Sequence, residues 1–133
     1  MTTEHVSVRI NRDAAAVYAY ASDPWHLPEW AAGLTDASLS ERNGRWISQT
    51  PDGPMTIDFT GPNPFGVLDH TVTLPNGESV YNPMRVVADG DGCEIVFTLR
   101  RQPEMTDADF ASDAAAVRAD LERLRRILER DTR

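Results

Sequence analysis

The sequence predicts an α+β domain. A curved antiparallel sheet of about seven strands wraps around one long C-terminal helix, and two short helices follow the first strand. Three observations carry this reading. Hairpin turn signals recur through the middle of the chain, starting with Asn43-Gly44 and Asp52-Gly53. A type I′ turn needs positive φ at both central residues, and Asn-Gly and Asp-Gly supply it. The segments between the turns alternate apolar and polar, as half-buried strands do. Beyond residue 106 the period changes, and Phe110, Ala114, Val117, Leu121, Leu124 and Leu128 line one face of a helix.

Each element follows in order. His5–Ile10 alternates, with Val6, Val8 and Ile10 on one face, and reads as a strand. Asp13 can cap a short helix through Tyr20, with Val17 and Tyr18 or Tyr20 turned inward; Ser22-Asp23-Pro24 ends it. A second helical piece runs from Leu27 to Ala32, with Pro28 in its first turn, where a missing N–H costs nothing. Strands are expected near 37–42, 45–50, 55–60, 67–74, 79–88 and 93–101, separated by turns containing Gly, Pro or Asn. Thr106, with Asp109 three residues on, forms a near capping box for the last helix. The other faces of that helix carry Arg and Asp or Glu, such as Glu122 and Arg126, and read as solvated surface.

Composition narrows the function. The 133 residues fit one domain, 1–133. The net charge is −8, and all 13 basic residues are Arg, so nucleic acid and anionic membranes are poor partners. Cys93 is the single cysteine and cannot form an internal disulfide; nothing cationic nearby marks it as reactive. No apolar run approaches the ~20 residues of a membrane helix, and the N-terminus lacks a signal-peptide pattern. The expectation is a cytoplasmic monomer or homodimer without membrane insertion. His5, His26 and His70 are too scattered for a metal motif, and no cofactor signature is present.

The turns also suggest which side chains meet inside. A two-residue turn at Asp52-Gly53 sets Trp46 opposite Phe59 and Ser48 opposite Ile57. Matching apolar faces then turns Leu68, His70, Val72 and Leu74 inward, and Asp69 and Thr71 outward, which argues against an Asp69–His70 catalytic pair. The strand at 79–88 has two registers. One points Tyr81 and Arg85 inward, making Arg85 a cavity cation; the other, with Gly77 in a bulge, points Val80, Asn82, Met84 and Val86 inward. The last strand favours the second, because a turn at Gly90-Asp91 pairs Ile95 and Phe97 with Val86 and Met84. His70 and Asn82 are then polar neighbours on an apolar floor.

The opening strand and helix (6–21), the segments SDPWHLPEWAAGL (22–34), FGVLDHTVTLPNG (65–77) and YNPMRV (81–86), and the C-terminal helix resemble the helix-grip fold of the START/SRPBCC superfamily. The likeness is to its polyketide cyclase/dehydrase-like and Bet v 1-like members, and spans His5 to Glu129. It implies a cavity between sheet and long helix that often takes a hydrophobic ligand. It does not fix an activity, because the superfamily hosts carriers, receptors, cyclases and oxygenase subunits. The iron ligands and Rieske domain of the oxygenases are not found in this sequence.

The expected function is binding of a small hydrophobic or aromatic molecule. Its pocket would comprise Trp30, Trp46, Phe59, His70, Asn82, Met84 and Phe97, with Phe110, Val117 and Leu121 from the helix. Two alternatives stand beside it. One is a cyclase or dehydratase using the same cavity, with His70 and Asn82 acting on a polyketone. The other is a protein-interaction module whose cavity is filled by side chains. His70 can equally be a buried hydrogen-bonded histidine, and Asn82 its partner. Trp25 reads as core filler.

Overall fold

The computed structural model describes residues 3–31 and 38–130. The expected end of the second helix at Ala32 and start of a strand at Ala37 lie outside the described residues. Strand β1 (Thr3–Ile10) leads into helix α1 (Ala14–Ala21), a 3-10 turn (Pro24–His26) and the short helix α2 (Leu27–Trp30). Seven strands follow: β2 (Ser38–Arg42), β3 (Arg45–Thr50), β4 (Gly53–Phe59), β5 (His70–Thr73), β6 (Ser79–Asn82), β7 (Met84–Asp89) and β8 (Gly92–Arg100). Helix α3 (Asp107–Arg130) closes the chain.

The local chemistry behind the helices is visible. Asp13 accepts the Ala16 N–H at 3.1 Å and caps α1. Thr106 and Asp109 exchange side-chain bonds to each other's backbone N–H at 3.0 and 3.1 Å, a capping box closed by Asp. On α3, Phe110, Ala114, Leu121, Leu124 and Leu128 are buried. Arg125 ties the solvated side together through Glu122 at 2.7 Å and Glu129 at 3.4 Å.

All strand pairs are antiparallel, and they fall into two sheets, ordered β1-β8-β7 and β2-β3-β4-β5-β6. The sequence expectation of seven strands becomes eight because Pro83 interrupts the span 79–88: it has no N–H for a ladder. The span expected as 67–74 likewise does two jobs. Residues 66–68 pair with β7, through Leu68 N–H to Met84 O at 2.8 Å and Val86 N–H to Gly66 O at 2.9 Å. Residues 70–73 then pair with β6. Asp69 sits at this crossing and is buried, not turned to solvent as alternation suggested. Its carboxylate accepts the Met84 N–H at 2.8 Å and the Tyr81 hydroxyl at 2.5 Å, and pairs with Arg85 at 3.4 Å. The side chain thus replaces the ladder bond that Pro83 interrupts.

The β3–β4 register is shifted from the sequence reading. Trp46 faces Ile57 and Ser48 faces Met55, and the turn residues are Pro51-Asp52. Proline holds φ near −65° and suits the first central position of a turn, so the turn forms one residue earlier. Gly53 then takes the positive φ of 121°. The slip moves each partner by two residues, so the inner face is unchanged. The later registers follow expectation: Phe59 faces His70, His70 faces Asn82, and Val86 faces Ile95. Leu74 and Glu78 close the β5–β6 hairpin around a three-residue loop with Gly77 at φ 92°, which turns Tyr81 and Arg85 away from the interior.

The main core lies between the β1-β8-β7 sheet and α3. Val6, Ile10, Val17, Ile95, Leu121, Leu124 and Leu128 are buried there. Helix α3 packs on β1, β8 and α2. The floor formed by β4, β5 and β6 is less covered, and this asymmetry creates the site.

Candidate functional site

Between that floor and α3 lies a chamber of about 180 Å³. Ile57, Phe59, Leu68 and Val72 form its floor, Met84 and Phe97 its side, and Ala21, Leu27 and Trp30 its end wall. Met55 and Ala31 complete the apolar lining, and α3 contributes Val117 and Asp120. A wider groove of about 470 Å³ adjoins it, sharing Val72, Phe97, Val117 and Asp120. The groove carries Asn82, Leu99 and Met105 inside, with Glu78, Arg100, Glu104 and Asp113 around it. Chamber and groove thus lie side by side, the one apolar and the other bordered by polar side chains.

Strand alternation places His70 in this lining, between Phe59 and Phe97, with ring centroids 5.6 and 6.0 Å away. His70 Nδ1 lies 3.0 Å from the Leu68 carbonyl oxygen. A carbonyl only accepts, so Nδ1 carries the hydrogen and Nε2 presents a lone pair. The nearest donor to Nε2 is the Asn82 amide at 3.5 Å, the long limit of a hydrogen bond. Burial pushes the His70 pKa below the ordinary histidine value, although the Leu68 carbonyl and the Asp69 charge pull the other way. The ring is therefore neutral at pH 7, with an acceptor that is weakly engaged.

A second polar group belongs to the end wall. Trp30 is 7% exposed, and its indole Nε1 has no hydrogen-bond partner among the described residues. Its backbone is anchored: the Trp30 carbonyl accepts from Arg123 at 2.8 Å, and Arg123 also reaches Asp120 at 3.2 Å. Arg123 therefore joins α2 to α3 at the chamber's edge. Ser48 Oγ, opposite Met55 on the inner face, is likewise buried and has no hydrogen-bond partner among the described residues.

Of the residues singled out from sequence, Trp30, Phe59, His70, Met84, Phe97 and Val117 line the chamber. Four do not. Trp46 makes an edge-on contact with Trp25, centroids 4.6 Å apart, and packs against the main core. Asn82 lies one strand further out and lines the groove. Phe110 packs in a separate cluster with Leu99 and Ala114, at the start of α3. Leu121, one turn beyond Val117, faces the main core and is 1% exposed. Trp25 itself is not core filler; it is 55% exposed. The sequence reading missed Asp120, three residues after Val117 and so beside it on the same helical face. It also passed over Met55, whose two-residue spacing from Ile57 already put it on the inner face.

Among the described residues, no group of three or more His, Cys, Asp or Glu is placed to hold a metal ion. No helix among them is long and apolar enough to cross a membrane.

A family described as polyketide cyclase / dehydrase and lipid transport matches residues 1–129. The chain belongs to that family. Solved structures share its architecture at low sequence identity. MLL2253 from Mesorhizobium loti superposes with a TM-score of 0.73 at 15% identity, over 98% of this chain and 99% of its own. XoxI from Bacillus cereus gives 0.72 at 13% identity, over 96% and 95%. DynU16, from the dynemicin biosynthetic locus, gives 0.73 at 18% identity, over 97% of this chain and 48% of its own, so the present chain spans about half of DynU16. At these identities the likeness is one of fold. No match was found among curated proteins.

Proposed function

We propose that this member of the family binds a small hydrophobic or aromatic molecule in the chamber between the sheet and α3, with the adjoining groove as its way in. The observation that carries this reading is the chamber itself: about 180 Å³, lined by aliphatic and aromatic side chains, with a few polar groups at its edge. That is the composition of a small-molecule site. The volume exceeds the ~30 Å³ share of one water several-fold, which weighs against a cavity filled by side chains. The family's description, which joins cyclases and lipid transport, is consistent with such a site.

A thermal-shift and tryptophan-fluorescence panel of aromatic polyketides, flavonoids, sterols and fatty acids tests it. A ligand at a hundred times its Kd adds ~2.7 kcal/mol to stability. Quenching of Trp30, which lines the chamber, should accompany the shift. Cooperative melting with no shift and no quenching across the panel would reject binding of these classes.

A cyclase or dehydratase activity is favoured by one specific feature, the neutral His70 whose Nε2 is engaged only weakly, by the Asn82 amide at 3.5 Å. In that reading Nε2 takes a proton from an activated C–H while the apolar walls hold the chain folded. His70→Leu would then abolish turnover of a bound polyketone while leaving its affinity within a few-fold; unchanged turnover rejects the mechanism.

A further inference from the structure

Chamber and groove are separate voids that share part of their walls. What separates them bears on the class of ligand, on the premise that the chamber is the binding site. The boundary can be traced on three sides. On the floor it runs between β5 and β6: His70 lines the chamber alone, and its cross-strand partner Asn82 lines the groove alone. On β8 it falls at Phe97, which lines both, whereas Leu99, the next inward residue, lines only the groove. On α3 it falls at Val117 and Asp120, which line both, whereas Asp113 and Ala116 line only the groove. Val72 completes the shared wall from β5.

Phe97 is the largest side chain in this wall, and it is half-buried. It also packs against both hydrophobic clusters, the main core and the smaller group of Leu99, Phe110 and Ala114, so packing places it at the same junction. Its ring stands edge-on to His70, centroids 6.0 Å apart. An apolar cavity of ~150 Å³ holds one benzene ring, so the chamber of about 180 Å³ takes one ring or an aliphatic end of that bulk. A second fused ring exceeds that volume. The groove beyond offers about 470 Å³, but Phe97 and Val117 stand between, and packed walls resist insertion of extra bulk.

We propose that Phe97 sets the size of ligand this protein accepts. With Val117 it closes the chamber at one ring, so the buried end of the ligand is monocyclic or aliphatic and a fused aromatic system is excluded. Removing the Phe97 ring joins the two voids into one site with room for fused rings. Phe97 is thus a specificity-determining residue that selects by bulk.

The test is NMR titration of the intact, methyl-labelled protein with toluene and naphthalene. In wild type, toluene should shift the chamber methyls of Ile57 and Leu68. Naphthalene should bind at least about tenfold more weakly although it is more apolar, since one methylene of misfit in an apolar pocket is worth that much. Phe97→Val removes the ring and keeps a strand-forming residue. Val117→Ala opens the wall from the helix with a good helix former. In each folded variant naphthalene should gain on toluene by about tenfold, and it should shift the groove methyls of Leu74 and Leu99 together with those of the chamber. The wild-type comparison needs neither variant. Naphthalene binding as tightly as toluene in wild type, or failing to gain in a folded variant, overturns the role of Phe97, and toluene binding then leaves the chamber standing as the site. Failure of toluene to bind while a larger ligand of the panel does overturns the size limit. Failure of toluene, naphthalene and the whole panel overturns the binding site as well.

Discussion

His70 and Asp69 are adjacent in sequence, and alternation sends them to opposite sides of the sheet, where each acquires a pH dependence. Folded His70 binds its proton less tightly than the unfolded chain does, because burial outweighs the Leu68 carbonyl and the Asp69 charge. The unfolded state therefore takes up the proton first. Stability is complete above the unfolded pKa of about 6.5 and falls as pH drops through the folded value. Denaturant midpoints should fall from about pH 7 to about pH 5, and His70→Leu should lessen that fall; parallel slopes would contradict the assignment. Asp69 is also depressed. Burial opposes its ionisation, but the Tyr81 hydroxyl, the Met84 N–H and Arg85 together hold the carboxyl below its ordinary value. Its contribution is complete above about pH 5 and fades at lower pH as the folded carboxylate takes up its proton. Asp69→Asn should cost about 2 kcal/mol at neutral pH, in the range of hydrogen bonds to a charged group. The difference from wild type should shrink towards pH 3 in urea titrations.

At the scale of elements, two positions carry the architecture. Gly66 has φ 72°, and a Cβ there would lie 2.4 Å from the Val86 carbonyl oxygen. Gly66 is also where the chain pairs with β7 before crossing to β6. Gly66→Ala should therefore destabilise by more than the ~1 kcal/mol of an unfavourable φ alone, read as a lowered unfolding midpoint; an unchanged midpoint would mean that the crossing relaxes freely. Helix α3 depends on its stripe. Leu124 is fully buried, so Leu124→Ala should cost about 3 kcal/mol. The turn at Pro51-Asp52 shows an element-level rule overriding a local one. Asp-Gly favours a type I′ turn, yet proline's fixed φ one residue earlier takes the turn position and moves the strand pairing by two.

Over the whole molecule, protection is uneven. The β1-β8-β7 sheet is covered by α1 and α3, while the β2–β6 sheet borders the chamber and groove. Native-state hydrogen exchange should be slowest at Val6 and Ile95, both 0% exposed, and faster in β2, β3 and β6. A ligand in the chamber should slow exchange selectively in β4 and β5, whose Ile57, Phe59, His70 and Val72 form its floor. Uniform protection in the free protein would refute the gradient, and slowing confined to β1 and β2 would place the ligand elsewhere.

The sequence by itself determined the class of fold, the order of elements and, outside 79–88 where two registers stood open, the face most strands turn inward. Those features rest on local chemistry: the Asp13 and Thr106 caps, the Gly-containing turns, and alternation at Val6, Val8 and Ile10. It also determined that His70 lies among aromatic neighbours, because a two-residue period survives a register slip of two. Only the tertiary structure decided which inner-facing residues line a space and which fill the core. Val117 and Leu121 share one stripe, yet the first borders the chamber and the second is packed against β1 and β8. Asp69 likewise reads as an outward polar residue until the chain crosses between sheets and Pro83 leaves a ladder bond to be replaced. The helix's tilt over the sheet and the meeting of distant segments settle such questions, and no local pattern records them.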